Sequence, residues 1–528
     1  MDILDRYNQA VNSRAPWNNT YKECARYCWP SAQNIVKSVA SEGEGQILTV
    51  DIADSTAIKA ALRMTSGIFS YLMPVGVKWF EFKSRDKQLG QNRVVQLWLS
   101  SATSAVHSEI WRSNYQREMF SSIRSLVVFG TAAISVERIG GNLVYRNYHL
   151  ADIFFEENNV GVVDVVFRRM FYTARQAAQE FGEENLTKEM MQCLKSGDYV
   201  RKFEIVHCVY PRKDYDTEKI DSGGKKFVSQ YIDVSQKKVL KEGGFDSMPY
   251  LIGRFDKSPD ELMGRSPAME LLPDIKMLND MRYTFVLSSE LACRPPLIVE
   301  DDGVIGQPST GPGDIIYKRH GSEDPRPLQT GSNAALTHEV IQMERQGIME
   351  GFYNDLFQAL ADYRNMTAYE VSQRVEEKFV MLAPAISGLQ KELFDPLVIR
   401  TLELIKGTEP LEDTPVGTNL DIEVAYQGRL ALAMSNMQTN AIEITLAKWA
   451  PYQQFYPVFD NINLDKAFVT SAINAGVPAD HVLTEDEVGQ NREEKQQMEK
   501  IAAQAQIAES ASKAIKNVSG TPYAEAML

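Results

Sequence analysis

The spacing of apolar positions predicts a largely helical beginning to the chain. The predicted elements are an aromatic-rich helical segment at residues 1–30, a polar loop to Gly45, a helix from Asp51 toward Tyr71, a short strand at Trp79–Phe82 and a helix from Val94 to Ile110. Prolines end two of these segments, because Pro30 and Pro74 cannot continue a helix.

The pattern changes to alternation of apolar and polar residues between about Ile134 and Tyr250. Such alternation is typical of strands with one buried face. Glycine pairs predict turns between these strands, at residues 140–141, 223–224 and 243–244. Because short strands follow one another with tight turns, we expect mainly antiparallel pairing and an α+β fold class.

A helical period returns after Gly264. Ser266-Pro267 is a strong helix start, since the hydroxyl can cap the helix and proline fits its first position. We expect this helix to end at Cys293, before Arg294-Pro295-Pro296, and a second helix to run from Ala334 to about Phe352. The two helices would lie antiparallel, with a Gly/Pro-rich insert at their far end. Two short strands are predicted in that insert, at Leu297–Glu300 and Ile315–Lys318.

The sequence after Phe352 predicts a break followed by a long helix. The apolar pattern is lost from Asn354 to Asn365 and restarts at Thr367-Ala368-Tyr369-Glu370, which has the form of a capping box. Pro384 and Pro396 lie inside the following helical pattern, so a kinked helix is expected. The last hundred residues are again helical, with only a thin seam of small residues near the C-terminus.

Composition favours a large cytoplasmic protein. The chain has 528 residues and 5 cysteines, and an odd, scattered set of cysteines is a poor disulfide framework. The first residues do not form a signal peptide, and the longest apolar stretch is about half of the ~20 residues that a membrane span needs. The net charge of −14 excludes tight DNA binding over the whole surface, because such binding needs lysine and arginine on the phosphates.

A search for catalytic chemistry gives no convincing site. The glycine-rich segments lack the spacing of a phosphate loop, and His338-Glu339 has Gln342 where a zinc protease needs its second histidine. Cys24 and Cys28 would share a helix face and are expected in the core. Since adjacent strand residues point to opposite faces, one of His207 and Cys208 is expected in the core and the other at the surface. No enzyme activity, cofactor or metal is therefore predicted.

Several segments resemble the portal, or head-to-tail connector, proteins of short-tailed bacteriophages (podovirus type). The resemblance depends on the order and spacing of these segments over nearly the whole chain: Arg14-Ala15-Pro16-Trp17, Cys24-Ala25-Arg26-Tyr27, Pro249-Tyr250, Gly264-Arg265-Ser266, Met366 to Glu370, Gly428-Arg429 and Val482 to Glu485. The resemblance implies a homododecameric ring in the virion, at one vertex of the capsid. Such a protein would be made in the host cytoplasm and would have no membrane partner.

The resemblance also implies a division of the chain. The wing would be residues 1–265, the stem helices 266–293 and 334–352, the clip 294–333, the tunnel loop 353–366, the long kinked wing helix 367–407 and the crown 408–528. Double-stranded DNA would pass through the ring during packaging and ejection. The implied protein partners are the terminase motor and then the tail adaptor, together with scaffolding and major capsid proteins.

Two sets of residues are candidates for direct roles. Tyr363, Arg364 and Asn365 would lie in the tunnel loop, where Arg364 is the basic residue expected to face DNA. In the clip, five residues would form an intersubunit β-contact with an outer face for partners: Ile298, Ile316, Tyr317, Lys318 and Arg319. The alternative for the clip is a local hairpin with no partner role.

Two other functions compete with a portal. One is a ring-forming tail or adaptor protein that attaches after packaging, although two long helices around an insert do not fit a compact adaptor bundle. The other is a virion-associated enzyme such as a peptidoglycan hydrolase, which would need a carboxylate pair or metal triad. The acidity fits a channel, because a ring of acidic subunits repels a duplex and does not retain it.

Overall fold

A computed structural model describes most of the chain. The described residues are 3–37, 49, 51–74, 76–90, 92–215, 222–299, 304–305, 315–327, 334–355, 382–407, 411, 420–426, 444–454, 463–474, 483, 488–489, 491–495, 497–498 and 500–501. The chain divides into two compact units, Met1–Tyr426 and Gln427–Leu528. The second unit contributes a helix at Leu464–Asn474, where Asp465 forms an ion pair with Arg492.

The helices of the first unit follow the predicted apolar spacing closely. They are α1 (Ile3–Arg14), α2 (Asn18–Cys28), α3 (Thr56–Leu72), α4 (Lys87–Gly90), α5 (Arg93–Arg112), α6 (Tyr115–Phe129), α7 (Ala174–Phe181), α8 (Lys188–Ser196), α9 (Pro267–Glu270), α10 (Leu272–Cys293), α11 (Ala334–Gly351) and α12 (Asp395–Ile405). The apolar pattern did not predict α4, α6, α7 or α8. The available signal was Thr173 and Gln176, which form a reciprocal capping box at the start of α7.

The strands form antiparallel sheets, as predicted. They are β1 (Phe80–Ser84), β2 (Thr131–Ile139), β3 (Asn142–Tyr148), β4 (Ile153–Glu157), β5 (Val163–Thr173), β6 (Lys202–Pro211), β7 (Phe227–Asp233), β8 (Lys238–Phe245), β9 (Tyr250–Arg254), β10 (Leu297–Ile298), β11 (Arg326–Pro327) and β12 (Ile422–Tyr426). The sheet orders are β3-β2-β9, β4-β5-β6-β7-β8, β1-β12 and β10-β11. The mixture of helices and antiparallel sheets confirms the α+β class.

One predicted turn is wrong. Gly140 and Gly141 do join β2 to β3, with φ values of 57° and 86° that suit glycine. Gly243 and Gly244, however, lie inside β8 and pair with Ser229 and Val228 of β7. A Cβ at Gly244 would lie 2.6 Å from the Lys225 side chain, so glycine is needed there for close packing and not for a turn.

The five-stranded sheet is covered on both faces, which corrects the expectation for His207 and Cys208. Both side chains are buried. Cys208 packs with Leu4 and Tyr7 of α1. On the other face the His207 ring is 2.6 Å from the Tyr250 hydroxyl of the three-stranded sheet. Neighbouring strand residues point to opposite faces, and here both faces are interior.

A buried hydrogen-bond network joins the two larger sheets around His207. Its ring nitrogens lie 2.6 Å from the Tyr250 hydroxyl and 2.8 Å from the Ser229 hydroxyl, and the ring stacks on Tyr231. Burial, with the nearby positive charges of Arg168 and Lys241, lowers the pKa of His207 to about 3. The folded protein therefore holds this imidazole neutral at every pH above that value.

We expect the stability of the fold to decrease as the pH is lowered, because of His207. Between pH 6.5 and about 3, the unfolded chain binds a proton on this residue that the folded chain excludes. The free energy of unfolding should therefore fall by about 1.4 kcal/mol per pH unit from this group. Urea unfolding between pH 7 and pH 4.5 measures the slope.

In His207→Gln, the free energy of unfolding should change less steeply with pH, by about 1.4 kcal/mol per pH unit, which corresponds to one proton. This difference in slope does not depend on the stability of the variant at pH 7. His338→Gln is the matched control, since His338 lies exposed on α11. An identical slope in the His207 variant and the parent would contradict the assignment.

Candidate functional site

The helices α10 and α11 form an antiparallel pair that is anchored at one end to the rest of the first unit. At that end Gly351 packs on Leu271, and a Cβ at Gly351 would lie 2.5 Å from the leucine side chain. Farther along the pair, the rings of Phe285 and His338 are 6.3 Å apart. The Ser266 hydroxyl accepts from the Met269 amide with Pro267 in the first turn, so the predicted helix start is confirmed.

Polar contacts fix the anchored end of this helix pair. The Asn279 side chain accepts a hydrogen bond of 2.7 Å from the Ala53 amide. Arg345 of α11 forms a 2.6 Å ion pair with the buried Asp54. Burial would raise the pKa of Asp54, but hydrogen bonds from Thr56 and Arg345 hold it below its usual value. Because these partners hold both helices against the segment before α3, their anchored end has a fixed direction.

The other half of the pair exposes large apolar side chains. On α10, Tyr283 is 67% exposed and Leu287 is 46% exposed, beside an open groove of about 700 Å³ that runs from Arg282 to Arg294. On α11, Met343 is 67% exposed, and nearer the anchored end a Cβ at Gly347 would have open space around it. Apolar residues on several sides of a helix are typical of a helix that is buried on all sides.

The residues predicted in the clip lie in two separate strand pairings. Ile298, 58% exposed, pairs with Arg326. The predicted strand Ile315–Lys318 is wrong, since only an isolated bridge joins Lys318 to Val304, with a 2.9 Å hydrogen bond from the Ile305 amide to the Tyr317 carbonyl. In the described part of the insert, the backbone of residues 315–318 has no strand to pair with beyond this bridge, and a strand needs continuous pairing.

The side chains of this insert point largely outward. Tyr317 is 65% exposed, Ile316 is partly buried and Arg319 is exposed. Lys318 forms an ion pair of 2.5 Å with Asp324. The predicted clip residues 316–319 therefore lie together beside the Val304–Lys318 bridge. Ile298 lies apart from them, in the pairing of β10 with β11.

The predicted tunnel-loop residues Tyr363, Arg364 and Asn365 lie outside the described residues, as does the capping box that begins at Thr367. The start of the predicted loop is described. Tyr353 follows α11 with a φ of 53°, a conformation that ends a helix.

The long helix is interrupted near Pro396, where a kink was predicted. Residues 382–389 are α-helical, Gln390–Phe394 form a π-helix, and α12 follows. The π-helix is the feature that sequence analysis did not foresee. A π-helix accommodates one extra residue in an α-helix and is frequent at functional positions.

Arg254 on β9 holds the π-helix. Its side chain is 1% exposed and donates to both carboxylate oxygens of Glu392, at 3.0 and 2.7 Å. It also donates to Glu157 at 2.7 Å and to the Gly161 carbonyl at 3.0 Å. Burial would lower the pKa of Arg254, but the bonds to Glu392 and Glu157 raise it above its ordinary value.

Sequence analysis missed this cluster, although a signal was present. Arg254 directly follows the apolar residues of β9, where an unpaired charge would be costly. A charge in such a position requires partners, but the sequence does not show which of many acidic residues supply them.

Among the described residues, no group of three or more histidine, cysteine or acidic side chains has the arrangement of a metal site. No described helix combines the length and apolar character needed to cross a membrane. The predicted cysteines are in the core, with Cys24 and Cys28 both buried in α2.

Comparison with known proteins places the chain in a family. Residues 1–483 match the family model of the bacteriophage head to tail connecting protein, and the chain belongs to this family. This confirms the resemblance seen in the sequence, and the expected function of a portal protein that connects head to tail at a capsid vertex is confirmed with it.

Three similar proteins are named portal or probable portal proteins. A probable portal protein of Bordetella phage BPP-1 is 25% identical over 96% of this chain and 92% of its own length. The portal protein of Salmonella phage epsilon15 is 24% identical over 98% and 95%. The portal protein of Enterobacteria phage T3 is 22% identical over 91% and 88%. The similarity therefore extends over nearly the whole length of each protein.

Proposed function

We propose that this chain assembles into a closed ring, expected to be a dodecamer, through which double-stranded DNA enters and leaves the capsid. The observation that carries the proposal is the exposed apolar half of α10 and α11. An isolated subunit would leave Tyr283, Leu287 and Met343 in water. A neighbouring copy packed beside each helix pair would cover them, and repeating that contact closes a ring.

Gly347 supports helix packing between neighbours. Glycine inside a helix costs about 1 kcal/mol relative to alanine, and nothing within the described subunit fills the space at its Cβ position. A missing side chain lets another helix approach closely. In the proposed ring, α10 of one copy would lie against α11 of the next.

We expect Leu287→Asp to abolish the rings. The charged side chain would have to lose its water in the subunit contact, whereas in the monomer it would remain exposed. Negative-stain electron microscopy and native mass determination compare the variant with the parent. Val200→Asp is the matched control, because Val200 is 84% exposed between α8 and β6. Intact Leu287→Asp rings would reject this interface, and a parent that stays monomeric even with scaffolding protein would reject the ring.

The insert between α10 and α11 is the proposed clip, which docks the terminase and later the tail adaptor. Its support is the exposure of Ile298 and Tyr317 on short pairings that the described residues of one subunit do not extend. Strands of neighbouring copies could extend those pairings. Deletion of residues 303–313 should leave rings intact but reduce terminase and tail-adaptor attachment, measured by co-sedimentation with purified rings. Normal attachment would leave the insert as a simple connection.

The proposed tunnel loop, residues 353–366, would carry Arg364 into the lumen together with Tyr363 and Asn365. An acidic ring needs few strong phosphate contacts, because each one must break as DNA advances. We expect Arg364→Glu to lower DNA packaging or retention several-fold while rings still form. Packaged DNA per particle measures the effect, with Arg374→Glu as the control of equal charge change. Unchanged DNA content would contradict the role.

In the proposed portal, which would lie at a capsid vertex of the virion, the wing, stem, clip, tunnel loop, long helix and crown would have the bounds implied by the resemblance. Head-to-tail connecting proteins are structural, and the proposal assigns this chain no catalytic role. A ring-forming tail or adaptor protein is the alternative. The portal is favoured because all three relatives are named portal or probable portal proteins.

A further inference from the structure

We propose that Arg254 and Glu392 form a latch that sets the register of the long helix. While the latch is closed, Gln390–Phe394 remain a π-helix. When it opens, the π-helix can convert to α-helix, and residues 382–389 then turn and slide relative to α12.

The geometry identifies Glu392 as the point that holds the π-helix. Its carboxylate receives the Arg254 guanidinium through two nitrogens and also the Arg254 backbone amide, at 3.2 Å. The next residue, Leu393, packs on the same strand, where a Cβ at Gly253 would lie 3.0 Å from it. A charged pair with a buried arginine fixes position more strongly than apolar contact alone, because its geometry is directional.

The helix beyond the π-helix is fixed by different contacts. Arg400 donates to the Val136 carbonyl at 3.1 Å and to the Ser247 hydroxyl at 2.7 Å. The Thr401 hydroxyl lies 2.9 Å from that of Tyr145. These bonds do not involve Arg254, so α12 would stay in place when the latch opens. The part that moves is therefore the part that precedes the π-helix.

The size of the motion follows from helix geometry. When the π-helix becomes α-helix, its extra residue enters the regular helix, so the preceding segment rotates by about 100° and shifts by about 1.5 Å along the axis. A side chain on the surface of a helix about 10 Å across would then move by roughly 8 Å. Residues 356–381 connect this segment in sequence to α11, so rotation would be passed toward the proposed tunnel loop. That last step rests on the proposed function, whereas the latch itself does not.

The test measures this rotation in the purified protein by spin-label distances. Cys293, the exposed cysteine, is first changed to serine. Cysteines then replace Ser387 and, in separate samples, Ile139 or Asp260 as two reference positions, all three being exposed. Labelled chains are diluted with unlabelled ones, so that distances within one subunit dominate.

In the parent we expect one distance for each pair. In Glu392→Gln, which keeps the size of the side chain but loses the charge, at least one pair should show a second distance that differs by several ångström, in about a third or more of the molecules. Arg254→Gln should give the same second distance, provided that it folds. Glu156→Gln is the matched control, since Glu156 pairs with Arg6 of α1 and should leave a single distance.

A second variant separates the latch from a general loss of packing. Deletion of Lys391 removes one residue from the π-helix and leaves a continuous α-helix with both ends in their original positions. The Glu392→Gln change in that background should no longer produce a second distance. A single distance in Glu392→Gln, or a second distance that survives the deletion, overturns the latch. Neither result depends on ring formation or on DNA.

Discussion

The three-stranded sheet β3-β2-β9 is the element on which the other parts of the first unit depend. α6 packs against it, and side chains from two helices satisfy its edges. Asn114 exchanges hydrogen bonds of 2.8 and 2.9 Å with Tyr145 on β3, while Glu392 accepts from the Arg254 amide on β9. Between α6 and β2 the chain turns at Gly130, so close to Gly264 that any side chain on either residue would collide with the other backbone. From this contact the chain continues through Ser266, whose hydroxyl donates to the Val128 carbonyl at 2.9 Å, into α9 and then α10.

In this unit, buried arginine side chains connect elements that are distant in sequence. Arg254 joins β9 to the end of β4, to the turn that follows it and to the π-helix. Arg400 joins α12 to β2 and to the segment before β9. Each guanidinium offers several directed donors, so one side chain can satisfy carbonyl and carboxylate groups on separate elements. Apolar packing supplies most of the burial but little direction. The arginines supply the orientation.

How far the sequence predicts this structure depends on the range of the contacts. Local signals were sufficient for α9 and α10, because the Ser266 cap begins α9 and the stop at Arg294-Pro295-Pro296 directly follows the last residue of α10. They failed for the pair Gly243-Gly244, because Lys225, the neighbour that requires glycine at position 244, comes from the segment before β7. They also failed for His207 and Cys208, since alternation shows that two faces differ but not that both are covered. The candidate stem pair could be predicted from local patterns, whereas the Arg254 cluster unites residues up to 235 positions apart, as between Glu157 and Glu392, and no local pattern encodes that meeting.

The capped edges of the three-stranded sheet limit how copies of this chain can associate. An open strand edge can pair with a strand of another chain, and repetition of that pairing produces a fibre. Here Asn114 and Glu118 occupy the β3 edge, and Glu392 occupies the amide of Arg254 on β9. Growth through this sheet is therefore obstructed by the protein's own side chains. In the proposed ring, copies would pack through helices instead, and the rotation between neighbouring copies would determine how many of them close the ring.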